Sequence, residues 1–98
     1  MQVIKRDGTV VDYDRAKIAV AIGKANAEME AQERASGEEI ESILSYIEGK
    51  KKKRMLVEDI QDIIEEKLME QGHYELAKTY IIYRYNRALV RKANTTDE

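Results

Sequence analysis

Lys5 and Arg6 stand side by side against a turn, and their setting suits phosphate chemistry. The run Val3-Ile4-Lys5-Arg6-Asp7-Gly8 puts both cations at the end of a short β-capable stretch. Val10-Val11-Asp12-Tyr13 is a second such stretch, and Asp14 and Lys17 open a helix directly after it. A basic hairpin tip feeding a helix N-terminus gathers cations, turn amides and a helix dipole, and each of these favours an anion. Lys17 in the first helical turn opposes the dipole, so this unfavourable local choice points to another use. Far along the chain, Arg84 and Arg87 lie three apart and project from one side of a helix. The residue types alone leave a second reading open. Lys5 and Arg6 can be solvated charges at a hairpin tip, and the arginines a surface pair bonded to carboxylates such as Glu75.

Composition narrows the chemistry. The chain has 98 residues, 43% hydrophobic and 37% charged, which suits one small helix-rich domain rather than a disordered segment. It has no cysteine, so disulfides, thiolate metal sites and cysteine catalysis are excluded within it. Its single histidine, His73, argues against a histidine-rich metal site or a Ser-His-Asp triad. No catalytic residue is expected, and no metal ligand from the protein itself. The formal net charge of −2 gives no global field for nucleic acid. Lys50 to Arg54 is a basic run without interleaved aromatics, and it reads as a solvated loop. No apolar run is long enough to cross a membrane, so the chain is expected to be soluble and cytoplasmic.

These residues need elements to hold them. A two-residue Asp7-Gly8 turn predicts a hairpin pairing Arg6 with Thr9, Lys5 with Val10, Ile4 with Val11 and Val3 with Asp12. Ile4, Val11 and Tyr13 would then form the core face, and Val3, Lys5, Val10 and Asp12 the other. Helix one should follow an Asp14 N-cap, with Ile18, Ile22, Ala25 and Met29 on one stripe. Ser36 and Glu39 form a capping box for helix two, whose stripe is Ile40, Ile43, Leu44 and Ile47, with Gly49 at its C′ position. Met55-Leu56-Val57 can add a short third strand. Helix three begins near Glu58-Asp59, buries Ile60, Ile63, Ile64 and Leu68, and ends at Gly72. Helix four spans about Tyr74 to Ala93. Its Leu76, Ala77, Tyr80, Ile81, Tyr83, Tyr85, Ala88 and Leu89 cover more than one stripe, and most of the tyrosines are expected in the core or at its edge. His73 has no evident partner and reads as a surface residue. The expected class is α+β, mostly α: a four-helix bundle covered by an N-terminal β-hairpin and a short third strand.

Four motifs, in order, match a known family. They are Val3-x-Lys5-Arg6-Asp7-Gly8, Tyr13-Asp14-x-x-Lys17-Ile18, Val57-x-Asp59-Ile60-Gln61-Asp62 and Ala77-x-x-Tyr80-Ile81-x-Tyr83-Arg84-x-x-Arg87. Over about residues 2 to 90 the chain resembles the ATP-cone, the regulatory nucleotide-binding domain at the N-terminus of many ribonucleotide reductases. The Tyr80-Ile81-Ile82-Tyr83-Arg84 ending looks most like the cone of the anaerobic, class III ribonucleoside-triphosphate reductase. Residues 1–93 would be the cone, and 94–98 a polar tail or linker to a missing catalytic domain.

The resemblance implies an allosteric site without chemistry of its own. ATP would activate the parent reductase and dATP would inhibit it, usually through a change of oligomer, with Mg²⁺ accompanying the nucleotide. The implied partners are the catalytic domain of that reductase and further copies of the chain. Carried over by position, Lys5, Lys17 and Arg87 meet phosphates, and the planar arginine fork suits that task. Val3 and Ile18 lie against the nucleotide, Val57 and Gln61 line the base, and Arg6 and Arg84 are further nucleotide contacts. Val11 stands where some cones carry a glutamate, which removes one polar contact. Two alternatives belong to other classes: a structural or protein-interaction domain whose nucleotide site has decayed, and a cone from a nucleotide-sensing transcriptional repressor. The repressor would need a zinc ribbon, and no cysteines precede the Lys5-Arg6 motif.

Overall fold

The computed structural model describes residues 1–96, with side chains described through Arg87 and at Leu89. The expected class is the observed one. Strands β1 (Gln2–Ile4), β2 (Val10–Asp12) and β3 (Arg54–Leu56) form one sheet in the order β2-β1-β3. Four helices accompany it: α1 (Arg15–Asn26), α2 (Gly37–Gly49), α3 (Val57–Glu70) and α4 (Tyr74–Thr96). A 3-10 turn at Ala31–Glu33 fills the polar stretch between α1 and α2. Among the described residues, no helix is long and apolar enough to cross a membrane.

The helices pack in a closed ring, α1 on α2, α2 on α3, α3 on α4 and α4 on α1. Ile22, Ile43, Ile47, Ile64, Leu68 and Leu76 are its most buried large side chains, and all lie on the expected apolar stripes. Fully burying such a side chain is worth about 1.5–3 kcal/mol, so this shared centre is what holds the helices together. The sheet caps the bundle through Val3 and Met55, which join the same core.

Local signals set most helix ends. Asp14 accepts from the Ala16 amide at 3.0 Å and caps α1. Ser36 and Glu39 form the reciprocal capping box of α2. Gly72, at φ +87°, closes α3 in a Schellman motif: its amide reaches Met69 O, and the His73 amide reaches Leu68 O. Gly49 behaves differently from expectation. It is the last residue of α2, and the left-handed position falls on Lys51, at φ 53°.

The hairpin register is a correction. Ile4 pairs with Val10, Val3 with Val11 and Gln2 with Asp12. Lys5 pairs with Thr9, its amide donating to Thr9 O at 2.8 Å, so the loop has three residues, Arg6-Asp7-Gly8. Gly8, at φ +87°, takes the left-handed place that a three-residue hairpin requires. The Asp7 carboxylate fixes the loop by accepting from the Thr9 amide at 2.9 Å. A one-residue slip exchanges the faces of one strand relative to the other. Val3 and Lys5 therefore share their face with Val11 and Tyr13, not with Val10 and Asp12. Val3 is buried and Ile4 only half-buried, the reverse of the expected roles.

Helix α4 is longer than expected and less buried. It runs to Thr96, through the start of the expected 94–98 tail; residues 97 and 98 and the Ala88 side chain lie outside the described residues. Leu76, Ala77 and Tyr80 reach the core, whereas Tyr74, Ile82, Tyr85 and Leu89 are exposed. Of the tyrosines only Tyr80 is a core residue, because a helix in a ring of four turns one face outward.

Candidate functional site

A cleft of about 660 Å³ opens between the β1–β2 hairpin, α1, α3 and α4. That volume lies within the roughly 300–1,000 Å³ typical of small-molecule sites. The corrected hairpin face forms one wall, with Val3, Lys5, Val11 and Tyr13. Helix α1 adds Lys17 and Ile18, α3 adds Val57 and Gln61, and α4 adds Arg84 and Arg87. The structure thus brings together every expected site residue except Arg6. Arg6 lies outside the cleft, where its guanidinium Nε donates to Glu58 in the first turn of α3. It clamps the hairpin tip onto that helix.

The cleft has an apolar interior and a basic rim. Val3, Ile60, Ile64 and Tyr80 are buried beneath it, and Val11, Ile18 and Val57 continue the apolar surface outward. Such a slot suits a flat ring more than it suits a chain of charges. Burial pushes the Tyr80 phenol up to about 12, so its hydroxyl stays protonated at neutral pH.

Four cations line this cleft with no ion pair among the described residues: Lys5, Lys17, Lys24 and Arg87. Lys24 was not singled out from sequence. It follows Lys17 by seven residues, two helical turns, so the spacing alone places both on one face of α1. Lys17 also lies at the N-terminus of α1, where the dipole adds to the attraction for an anion. Two carboxylates share the cleft. Asp14 is occupied as the α1 cap, and Asp12 stands at the end of β2.

Arg84 differs from these cations. Its Nε donates to Glu65 at 2.8 Å, and one terminal nitrogen donates to Gln61 Oε1 at 3.0 Å. Both members of the Arg84–Glu65 pair are mostly buried, with 20% and 15% of their side-chain surface exposed. Glu75 takes no part in it. Long-range packing of α3 on α4 makes this cluster, so no local sequence pattern announced it.

A second cleft, of about 860 Å³, lies on the other side of the hairpin base. Lys51, Lys52 and Lys53 line it, with Met1, Gln2, Tyr13, Arg15 and Glu48. Its arginine is fully committed. Arg15 forks onto Glu41 at 2.9 and 3.0 Å and onto Glu48 at 2.9 and 3.2 Å. Tyr13 adds a hydroxyl bond to Glu48 at 2.8 Å. The bonds from Arg15, and then from Tyr13, hold the Glu48 carboxyl below its usual range. His73 is also committed: its Nε2 lies 3.0 Å from the Glu39 carboxylate, so it is not the unpartnered surface residue expected. Bonds from the Ser36 backbone, then from His73, lower the Glu39 carboxyl.

Comparison with known proteins shows the family. The sequence model of a family described as "ATP cone domain" matches residues 1–89. The ribonucleoside-diphosphate reductase subunit alpha of Chlamydia trachomatis is 38% identical over 99% of this chain and 10% of its own length. The vitamin B12-dependent ribonucleoside-diphosphate reductase of Thermoplasma acidophilum is 35% identical over 93% of this chain and 12% of its own. The anaerobic ribonucleoside-triphosphate reductase of Haemophilus influenzae is 32% identical over 92% of this chain and 12% of its own. The chain therefore spans about a tenth of the length of these relatives.

Proposed function

The chain belongs to the ATP-cone family, regulatory domains of ribonucleotide reductases, and we propose on that premise that its cleft binds ATP and dATP as allosteric effectors. One observation carries the reading. Lys5, Lys17, Lys24 and Arg87 come from three separate elements and meet, unpaired among the described residues, around one apolar slot. Unpaired cations beside an apolar slot match a ligand with a flat ring at one end and phosphates at the other. A decayed site would have no reason to keep them so.

In this reading the base lies against Val3, Val11, Ile18 and Val57, beside Gln61 and Arg84, while Lys5, Lys17 and Arg87 take the phosphates. Arg6 steadies the hairpin rather than touching the nucleotide. Among the described residues no group of three or more His, Asp or Glu could hold a metal ion. Mg²⁺ would enter with the nucleotide, held by its phosphates.

The parent protein would be a cytoplasmic ribonucleotide reductase, activated by ATP and inhibited by dATP. The Tyr80–Arg84 segment supports the anaerobic ribonucleoside-triphosphate type. The two effectors differ by one hydroxyl, so the site can separate them by only a few kcal/mol. An allosteric switch needs no more than such a differential between two states. The exposed Ile82, Tyr85 and Leu89 on α4 supply an apolar stripe on which a second copy or the catalytic domain can dock. A change of assembly is therefore the proposed output.

Calorimetric titration of the chain with ATP and dATP, each with Mg²⁺, tests the binding. Saturable heat with both is expected; none at millimolar nucleotide would overturn the reading. Sedimentation of the whole parent reductase tests the output. Identical profiles with saturating ATP and dATP, beside normal inhibition by dATP, would rule out assembly.

A further inference from the structure

We infer that Glu65 and Arg84 lock the Gln61 side chain in one orientation, so that the cleft reads the base with a fixed hydrogen-bond donor. The inference rests on the nucleotide reading and deepens it. Gln61 and Glu65 are one helical turn apart on α3 and face Arg84 on α4. A guanidinium has donors only, so the Gln61 atom turned toward it must be the carbonyl oxygen. The amide nitrogen is then turned away from Arg84. Gln61 lines the cleft, and its nitrogen has no hydrogen-bond partner among the described residues.

Glu65 is what makes the orientation firm. Alone, Arg84 could swing toward phosphate or solvent and release the amide. Its bond to the mostly buried Glu65 holds it across the α3–α4 seam. Reversing the amide would set two donors against each other and leave both unsatisfied. Glu65 is thus a positioning residue. It acts on the ligand through Arg84 and Gln61 without touching it.

A fixed donor selects a base that offers a bare ring nitrogen. Adenine has three, N1, N3 and N7, all acceptors. Hypoxanthine and guanine keep bare N3 and N7 but carry a proton on N1, so the donor tells them from adenine only where it meets N1. The apolar neighbours Val11 and Val57 offer no side-chain hydrogen bond that could replace the Gln61 donor.

The test uses the chain itself, titrated calorimetrically with ATP and with its 1-deaza, 3-deaza and 7-deaza analogues. Each analogue replaces one ring nitrogen by C–H. One analogue should bind the wild-type chain about tenfold or more weakly than ATP, as expected for loss of a single buried hydrogen bond. Gln61→Glu keeps the shape and the bond to Arg84 but presents an acceptor. It should weaken ATP by about tenfold and erase the difference between ATP and that analogue. Glu65→Ala should shrink the same difference, and Glu65→Gln, which can still accept from Arg84, should restore part of it. A purely structural role for Glu65 would leave the ratio unmoved. Intact ATP binding with all three analogues equal to ATP would overturn the inference alone. No ATP binding by the wild-type chain would overturn the nucleotide reading as well.

Discussion

The two clefts flanking the hairpin teach that what surrounds the cations, not their number, sets a candidate site apart. The second cleft is larger and holds three consecutive lysines. Its arginine is neutralised by Glu41 and Glu48, and Glu48 itself forms part of the wall. The first cleft is smaller, but its lysines and Arg87 have no ion pair among the described residues, and its interior is apolar. An anion entering the second cleft meets an acid already in place. One entering the first meets four cations with no ion pair among the described residues, beside Asp12 and an Asp14 already occupied as the α1 cap. Lys51, Lys52 and Lys53 also have no ion pair among the described residues, but they come from one loop, whereas the cations of the first cleft converge from the hairpin, α1 and α4 around a buried apolar floor.

Removing charge from each side is the sharpest challenge to that contrast. The double variant Lys5→Ala, Arg87→Ala should lose about 3–6 kcal/mol of ATP binding, since each charge-assisted contact is worth about 1.5–3 kcal/mol. The triple variant Lys51→Ala, Lys52→Ala, Lys53→Ala should shift affinity by less than about threefold, a screening effect only. Calorimetry on both variants decides, and comparable losses would erase the distinction.

Ligand-induced stabilisation sharpens the same point. ATP at about a hundred times its Kd should raise unfolding free energy by roughly 2.7 kcal/mol, measured by urea denaturation. The triple-lysine variant should keep that gain, and the double variant should lose most of it. Next in size, Arg15→Ala should lower the urea midpoint slightly, as expected for loss of a solvent-screened ion-pair network. It should leave ATP affinity within about twofold, because Arg15 ties α1 to α2 and lines only the second cleft.

The smallest effect is one of pH. Glu48 has a lowered pKa in the folded chain, through Arg15 and Tyr13. The unfolded chain therefore binds the proton first, so this contribution is present above the usual carboxylate value and is lost as pH falls through the lowered one. Acid titration of Glu48→Gln should show a shallower loss of stability than the wild-type chain across that range. An unchanged slope would show that the Arg15 network contributes nothing to the fold.

Local rules were legible and long-range ones were not. The Ser36–Glu39 box and the Gly72 cap depend on neighbours within one turn, and both stand as read. The hairpin was misread because Asp7-Gly8 serves two loops equally: a two-residue turn, or a three-residue loop in which Gly8 alone is left-handed. The Asp7 bond to the Thr9 amide favours the second, and that choice moved Val3 and Lys5 onto the face of Val11. The cleft residues were legible because the family motifs mark positions even where the register is wrong. Their partners were not. Arg84 meets Glu65 and Gln61, and His73 meets Glu39, only because particular helices pack together. Tyr85 was expected near the core because its apolar ring is visible in sequence, while the direction in which α4 turns it is not.

The strand order carries a consequence for the timing of synthesis. β1 leaves the ribosome first, yet it lies in the middle of the sheet and waits for its parallel partner β3 behind all of α1 and α2. The hairpin can close within microseconds of emerging, but the parallel pairing cannot begin until those two helices have been made. Arg87, on α4, arrives later still. A nascent chain therefore has no complete cleft until α4 has been made. On the proposed reading, nucleotide binding would follow only once α4 has docked.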